Sequence, residues 1–328
     1  MPVLAVGTLG VDVMAVGLPA VADPGGVLYT SVETRIGGHP IDVAIDLVEL
    51  GHAPDSVAVA AAIGTGPFGS FVGEVIDRYR IPTFLQVVED EDSGRNLVLE
   101  VEGEDRRFHL DPGANARLSA AHVSAAIDAW QPDLLTMRPG YTGIDHELAG
   151  ILAPLTSTMV MLDVMEPRPD YRADYLAAAL PYVDLLHCNE REALINTGAS
   201  TLADAVDTFL AAGVQLVLVT AGARGAQAFT ASRHVTQPGF AVTVVDVTGC
   251  GDAFCAGVID FLHDHDGGGL DRLGTAQLAE LLIRAQAVGA SAATAVGCVD
   301  GVSRLMIDSI LAEQGDTVRD QTREGEWP

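Results

Sequence analysis

Continuous apolar runs of strand length alternate with amphipathic stretches along most of this chain. Residues 3–6, 57–63, 134–137, 159–163, 185–186 and 216–220 are apolar or nearly so, the pattern of strands covered on both faces. Between them, residues 41–50, 71–79, 120–130, 201–211 and 276–293 place apolar side chains at helical spacing. Strand and helix taking turns in this way predicts an α/β fold, a central mostly parallel sheet flanked by helices. Two regions break the rhythm. Residues 13–36 and 84–110 have little helical period and read as hairpins: 96–101 alternates, Gly103 turns and 106–110 returns. The expected organisation is a main body of residues 1–12, 37–83 and 111–312 with a small β unit of 13–36 and 84–110. A polar, loosely ordered tail of 313–328 follows. No internal repeat is visible.

Composition narrows the chemistry. The 328 residues carry a formal net charge of −27, and all eighteen basic residues are arginine. Without lysine there is no P-loop lysine, no Schiff base and no serine–lysine dyad. Any phosphate must be met by backbone N–H groups, a helix dipole, a metal ion or arginine. The acidic balance also lacks the basic footprint of a nucleic-acid binder or of a protein drawn to anionic membranes. It has two readings. One is a halophile-like surface adapted to a salt-rich cytoplasm, where charges are screened within about 3 Å at 1 M salt. The other is a GC-rich genome that favours arginine, which accounts less well for the excess of Asp and Glu. Residues 1–6 lack the charged start of a secretory signal, and no apolar run is long and pure enough to span a bilayer. Cys188, Cys250, Cys255 and Cys298 show neither zinc-ligand nor disulfide spacing, so a reducing cytoplasm is the expected location.

One segment carries most of the functional information: Asp246-Val247-Thr248-Gly249-Cys250-Gly251-Asp252-Ala253-Phe254-Cys255-Ala256-Gly257. It follows a strand-like apolar run, residues 240–245, and leads into an apolar helix over 253–262. Glycines on both sides of Cys250 allow a tight turn that presents successive N–H groups at the helix start, an anion site. A carboxylate at the mouth of that site, Asp252, is repelled by phosphate and is costly to place there. Deprotonating a hydroxyl that attacks a phosphoryl group gives it a purpose. A plain glycine turn with a capping Asp is the alternative.

The segment resembles the second signature of the ribokinase-like (PfkB) carbohydrate kinases, with Val247 in place of Thr and Cys250 in place of Ala. The resemblance implies a ribokinase-like fold with a small β-sheet lid, formed by 13–36 and 84–110, that covers the substrate and mediates a homodimer. It implies Asp252 as catalytic base, and Gly249, Cys250 and Gly251 as the anion hole. Gly37-Gly38-His39-Pro40-Ile41-Asp42-Val43-Ala44 is similar to the family's first signature, which places Gly38, His39 and Asp42 on the acceptor side. Asp42 replaces the family's Asn, exchanging an amide for a carboxylate, which favours a neutral, hydroxyl-rich acceptor. Its other reading is a first-turn Asp that complements the helix dipole. Asp12, soon after the first strand, stands where the family grips sugar hydroxyls. Asn115, in Pro112-Gly113-Ala114-Asn115, either touches substrate or closes the turn.

On the nucleotide side, Asn189-Glu190-Arg191-Glu192 is similar to the family's Asn-x-x-Glu, which implies Asn189 and Glu192 for Mg²⁺, through water, and Asn189 for the triphosphate. Read alone, the same four residues are a capping sequence. Thr220, Gly222 and Gly225 match a turn beside the nucleotide; neighbouring Arg224 either meets a phosphate or faces solvent. Residues 285–302 resemble the wall of the adenine site. Asp246 and Thr248 fall where the family binds nucleotide and a monovalent cation such as K⁺. Gly64-Thr65-Gly66-Pro67-Phe68-Gly69 imitates a dinucleotide fingerprint, but it sits in the second strand–helix unit and Pro67 removes an N–H from any cradle. Cys250 has two readings, a thiol activated at a helix N-terminus or a small residue standing in for Ala.

The function expected is transfer of the γ-phosphoryl group of ATP, with Mg²⁺, to a sugar or nucleoside hydroxyl. Rivals are a kinase for a sugar acid of the 2-keto-3-deoxygluconate type or for a sugar phosphate, with Arg35, Arg95, Arg107 or Arg168 meeting the anion. A non-catalytic nucleotide or sugar sensor is a rival of another class, and a dinucleotide oxidoreductase a more distant one.

Overall fold

All six apolar runs form strands that lie side by side in a computed structural model of the chain, which describes residues 1–103, 107–169, 171, 175–265 and 270–327. In chain order the first strands are β1 (Val3–Val6), β2 (Gly10–Leu18), β3 (Ser31–Gly37), β4 (Val57–Gly64), β5 (Thr83–Val88), β6 (Gly94–Val101) and β7 (Arg107–Asp111). Then come β8 (Leu134–Met137), β9 (Met159–Asp163), β10 (Leu185–Asn189), β11 (Leu216–Thr220), β12 (Ala226–Phe229), β13 (His234–Gln237) and β14 (Arg323–Gly325). Among the described residues the main sheet has ten strands, ordered β14-β13-β12-β11-β10-β9-β8-β1-β4-β5. From β11 to β5 every neighbour pair is parallel; β12, β13 and β14 extend the sheet antiparallel.

The helices are α1 (His39–Glu49), α2 (Pro67–Tyr79), α3 (Ala120–Trp130), α4 (Leu148–Leu152), α5 (Glu190–Thr197), α6 (Leu202–Ala211), α7 (Cys250–Asp264), α8 (Thr275–Ala292) and α9 (Arg304–Gln321). They give the sheet two cores. One gathers side chains of α1, α7, α8 and α9 on one face, the other those of α3, α4 and α6 on the opposite face. The strand order reverses around β1, which lies between β8 and β4; such a switch point opens a crevice at the carboxyl ends of the strands.

The small sheet is ordered β3-β2-β6-β7, with β2 and β6 parallel and both outer pairs antiparallel. Its bounds differ from those read in the sequence. β2 begins at Gly10, and β5, expected within the small unit, pairs with β4 at the edge of the main sheet. A half-buried edge strand and a lid strand share one alternating pattern, so periodicity does not separate them. The return strand, expected from Arg106, is seen from Arg107; Arg106 lies outside the described residues.

Two further expectations are corrected. Residues 240–245 form no strand: Phe240 is buried in the core with Val242 packed against it, and Val242 and Val244 also wall a cleft, so their apolar character does not require a strand. The tail is ordered. Residues 304–321 are helical, with Ile307, Ile310 and Val318 buried, and β14 pairs with β13. Its polarity reflects one solvent face of a helix whose other face packs on the core.

Candidate active site

The turn before α7 is built from its own residues. Gly249 is the helix N-cap at φ 75°, a left-handed conformation, and a Cβ there would stand 2.6 Å from the Cys298 carbonyl oxygen. Cys250 and Gly251 open the helix, and Asp252 follows in its first turn, where the helix dipole favours a carboxylate. The Cys250 N–H makes a 3.4 Å contact with the Val247 carbonyl, and first-turn N–H groups have no intrahelical acceptor. Asp246 braces the turn. One of its oxygens accepts from the Thr248 N–H (2.9 Å) and hydroxyl (2.7 Å), and the other from the Gly297 N–H (2.9 Å).

Asp252 is buried among charges. His39 Nδ1 lies 2.7 Å from its Oδ1, and Arg138 reaches Oδ1 at 3.0 Å and Oδ2 at 3.1 Å. The same guanidinium holds Asp163, through Nε at 2.7 Å and through a close Nη2 contact. His187 Nδ1 is 2.7 Å from Asp163 and stacks on Phe254. Burial opposes each charge, yet Arg138 and His187 hold the Asp163 carboxyl well below the usual range. Arg138, likewise buried at a cost, is held well above its ordinary value by Asp163 and Asp252. His39 is raised against its burial by hydrogen bonds to Asp163 and Asp252. His39, expected beside the acceptor, is fully buried with both ring nitrogens engaged, one by Asp252 and one by Thr136 (2.8 Å). Its place is behind Asp252.

Thr136, Arg138, Asp163 and His187 escaped the sequence reading. Each lies in or just past the carboxyl half of a parallel strand beside the switch point, and that position was the available signal. Two triads in this cluster, His39–Asp163–Asp252 and Asp163–His187–Cys255, have ligand atoms within 4.8 Å of one another. The Arg138 guanidinium already fills the role of a cation between Asp163 and Asp252.

The side expected from the sequence to meet the acceptor is acidic. Asp12 accepts from the Asn96 amide at 2.6 Å and is raised by burial. Asp42 accepts from the Gly38 N–H at 3.1 Å through one oxygen; the other has no partner. Burial, then Asp252 and Asp12, push Asp42 well above the carboxylate range. Gly38, at φ 119°, runs against β2's approach: a Cβ would meet the Thr8 carbonyl oxygen at 2.1 Å. Asn115 pairs with the Leu9 backbone through both ends of its amide, at 2.9 and 3.0 Å, and so closes this corner. Beside it lies a cavity of about 40 Å³ lined by Thr8, Gly10, Gly38, Asn96 and Asp111. Arg95 on its rim is paired with Asp111 at 2.7 Å.

A second cleft, about 370 Å³, opens on the other side of the Gly249 turn. Thr220, Gly225, Val247, Cys250, Gly251 and Gly289 are among its walls. Gly222 also lines it, while Arg224 is exposed and paired with Glu190. Asn189 and Glu192 form a reciprocal capping box at the start of α5, with bonds of 2.9 and 2.8 Å. The box uses one Glu192 oxygen and leaves the second, and Glu192, raised by burial, interacts with Asp163, Arg138 and His187. That fits Mg²⁺ held through water, with one carboxylate oxygen as anchor.

The pattern of the pfkB family carbohydrate kinases matches residues 6–304. This chain belongs to that family. The kinase is 24% identical over 259 residues to a fructokinase from Vibrio alginolyticus, covering 72% of this chain and 79% of that one. It is 27% identical over 260 residues to a ribokinase from Haemophilus influenzae, covering 75% and 81%. Its fold superposes on a ribokinase from Giardia lamblia with a TM-score of 0.82 at 19% identity, over 94% of this chain and 99% of that one. An E. coli protein described as a ribokinase II, solved with ATP and Mg²⁺, gives 0.74 at 22% identity over 95% and 99%. The kinase is therefore a phosphotransferase of the carbohydrate-kinase type, with a ribokinase-like fold. Among the described residues no helix is long and apolar enough to cross a membrane.

Proposed function

We propose that this kinase transfers the γ-phosphoryl group of MgATP to a hydroxyl of a neutral, hydroxyl-rich acceptor, a sugar or nucleoside. The observation that carries this reading is the place of Asp252. It stands in the first turn of α7 beside Cys250 and Gly251, which wall the larger cleft, and close enough to Asp12 and Asp42 to raise both. The Asp252 carboxylate takes the hydroxyl proton while the acceptor oxygen bonds to phosphorus. The bond from phosphorus to the bridging oxygen breaks, and its electron pair leaves with ADP. The N–H groups of Gly249, Cys250 and Gly251 meet the charge on the moving phosphoryl. The proton afterwards passes from Asp252 to solvent.

Asp12, Gly38, Asp42 and Asn115 frame the acceptor, with His39 supporting the base. Thr220, Gly222, Gly225, Asp246 and Thr248 frame the nucleotide. Mg²⁺, when bound, neutralises phosphate charge, and Asn189 and Glu192 would hold it through water. Both Asp246 oxygens serve the protein, so a monovalent cation such as K⁺ would depend on main-chain carbonyls of the loops that Asp246 joins. Acidic Asp12 and Asp42, with Arg95 neutralised by Asp111, favour a neutral acceptor over an anionic one. Exposed apolar residues of the lid, Val32 and Leu97 among them, favour a homodimer through that sheet, and the net charge argues against nucleic acid. A cytoplasmic location accords with the four cysteines, none of them in a disulfide.

The test is ADP release with MgATP against neutral sugars, nucleosides, sugar acids and sugar phosphates, in matched KCl and NaCl buffers. Turnover with a neutral acceptor, lowered about 10²–10⁴-fold by Asp252→Asn, is the expected result. Turnover confined to anionic acceptors would overturn the reading of the acceptor side.

A further inference from the structure

Arg138 follows β8 at the switch-point crevice, and its side chain is 21% exposed. Its guanidinium does three things at once. It contacts both oxygens of Asp252, at 3.0 and 3.1 Å. It is anchored from behind by Asp163, through Nε at 2.7 Å and through Nη2. And Nη2 stands 3.7 Å from the point where a Cβ on Gly251 would be, against the anion turn itself. In a chain without lysine, arginine is the one permanently charged side chain that can serve a phosphoryl group.

We propose that Arg138 is a further catalytic residue of the transfer, shared between the base Asp252 and the moving phosphoryl group. This rests on the kinase reading above. Before transfer, Arg138 faces two carboxylates, Asp163 and Asp252. When Asp252 takes the hydroxyl proton it becomes neutral, and only Asp163 still opposes the guanidinium charge. The freed half of that charge then acts on the equatorial oxygens of the phosphoryl group, at the moment charge builds there. Arg138 neither gains nor loses a proton. Asp163 keeps the fork in place throughout, with His187 on its far oxygen and His39 on the far side of Asp252. Glu192, the other charged group facing Arg138, is engaged in the α5 cap.

The test compares calorimetric binding of Mg·ADP and of the non-hydrolysable Mg·β,γ-imido-ATP, alongside kcat, in the wild type, Arg138→Met and Arg138→Lys. A guanidinium that serves the γ-phosphoryl makes its removal selective. In Arg138→Met, ADP binding is expected to stay within about twofold, the ATP analogue to bind about tenfold more weakly, and kcat to fall about 10²–10³-fold. Lysine keeps the charge and loses the fork, so Arg138→Lys is expected to fall between. It also supplies the measurement if the methionine variant does not fold. An analogue-to-ADP affinity ratio equal to wild type in a folded variant, or an unchanged kcat, would overturn the proposal and leave the kinase reading intact. A wild type that binds neither nucleotide would sink both.

Discussion

Asp46 is the residue whose burial is hardest to reconcile with its chemistry. It lies one turn after Asp42 on α1, fully buried, and neither carboxyl oxygen has a partner. Burial, then Asp42 and Asp252, push its pKa well above 3.8. A folded-state pKa raised above the unfolded value gives a stability contribution present below the unfolded pKa and lost as pH rises through the folded one. Asp46→Asn keeps the shape and removes the ionisation. It is expected to stabilise the fold more at pH 8 than at pH 5, by about 1–3 kcal/mol, seen as a larger rise in melting temperature at the higher pH. Parallel melting curves for the two proteins across that range would contradict this. Nothing in the sequence marked Asp46, because an Asp at a helical position reads as a solvent-facing residue until its surroundings are known. Cys250 shows the opposite case. Its place at a helix start was legible, and among the four cysteines it alone is not buried, lying in the wall of the larger cleft.

At the scale of elements, α7 links the chemistry to the core. Its first turn carries Asp252, while Gly257, further along, lets α8 approach so closely that a Cβ would stand 2.7 Å from the Ala285 Cα. Gly257→Val therefore has to push the two helices apart. A loss of about 1–3 kcal/mol in urea unfolding is expected, together with a lower kcat because Asp252, the proposed base, moves with the helix. Stability equal to wild type would mean that the crossing has room to relax. The motif over 246–257 was readable because its chemistry is local: a glycine turn, a helix start and a first-turn carboxylate lie within a few residues. The run over 240–245 was misread because apolar side chains that wall a cleft look, in sequence, like those of a strand. The tail was misread because β14 is exposed and gains its order from pairing with β13 and from Trp327 packing on Phe229 and donating to Asp207.

The whole molecule has a formal net charge of −27, with few cations to offset its acidic residues. Self-repulsion of that size is screened by salt. Raising KCl or NaCl from about 0.1 M to about 1 M is expected to raise the melting temperature and to shift sedimentation toward a dimer. A melting temperature that falls with either salt would count against the salt-adapted reading.

The order of strands and helices, the glycine turn before α7 and the carboxylate beside it were determined by the sequence alone, because each depends on residues near one another along the chain. The charged nest around that carboxylate was decided only by the tertiary structure. His39 and Asp252 are 213 residues apart, and Arg138 and Asp252 are 114 apart. No spacing rule connects them. They meet because a parallel sheet brings the carboxyl ends of β8, β9 and β10 beside the start of α7, and burial there favours pairing of His39, Arg138, Asp163, His187 and Asp252.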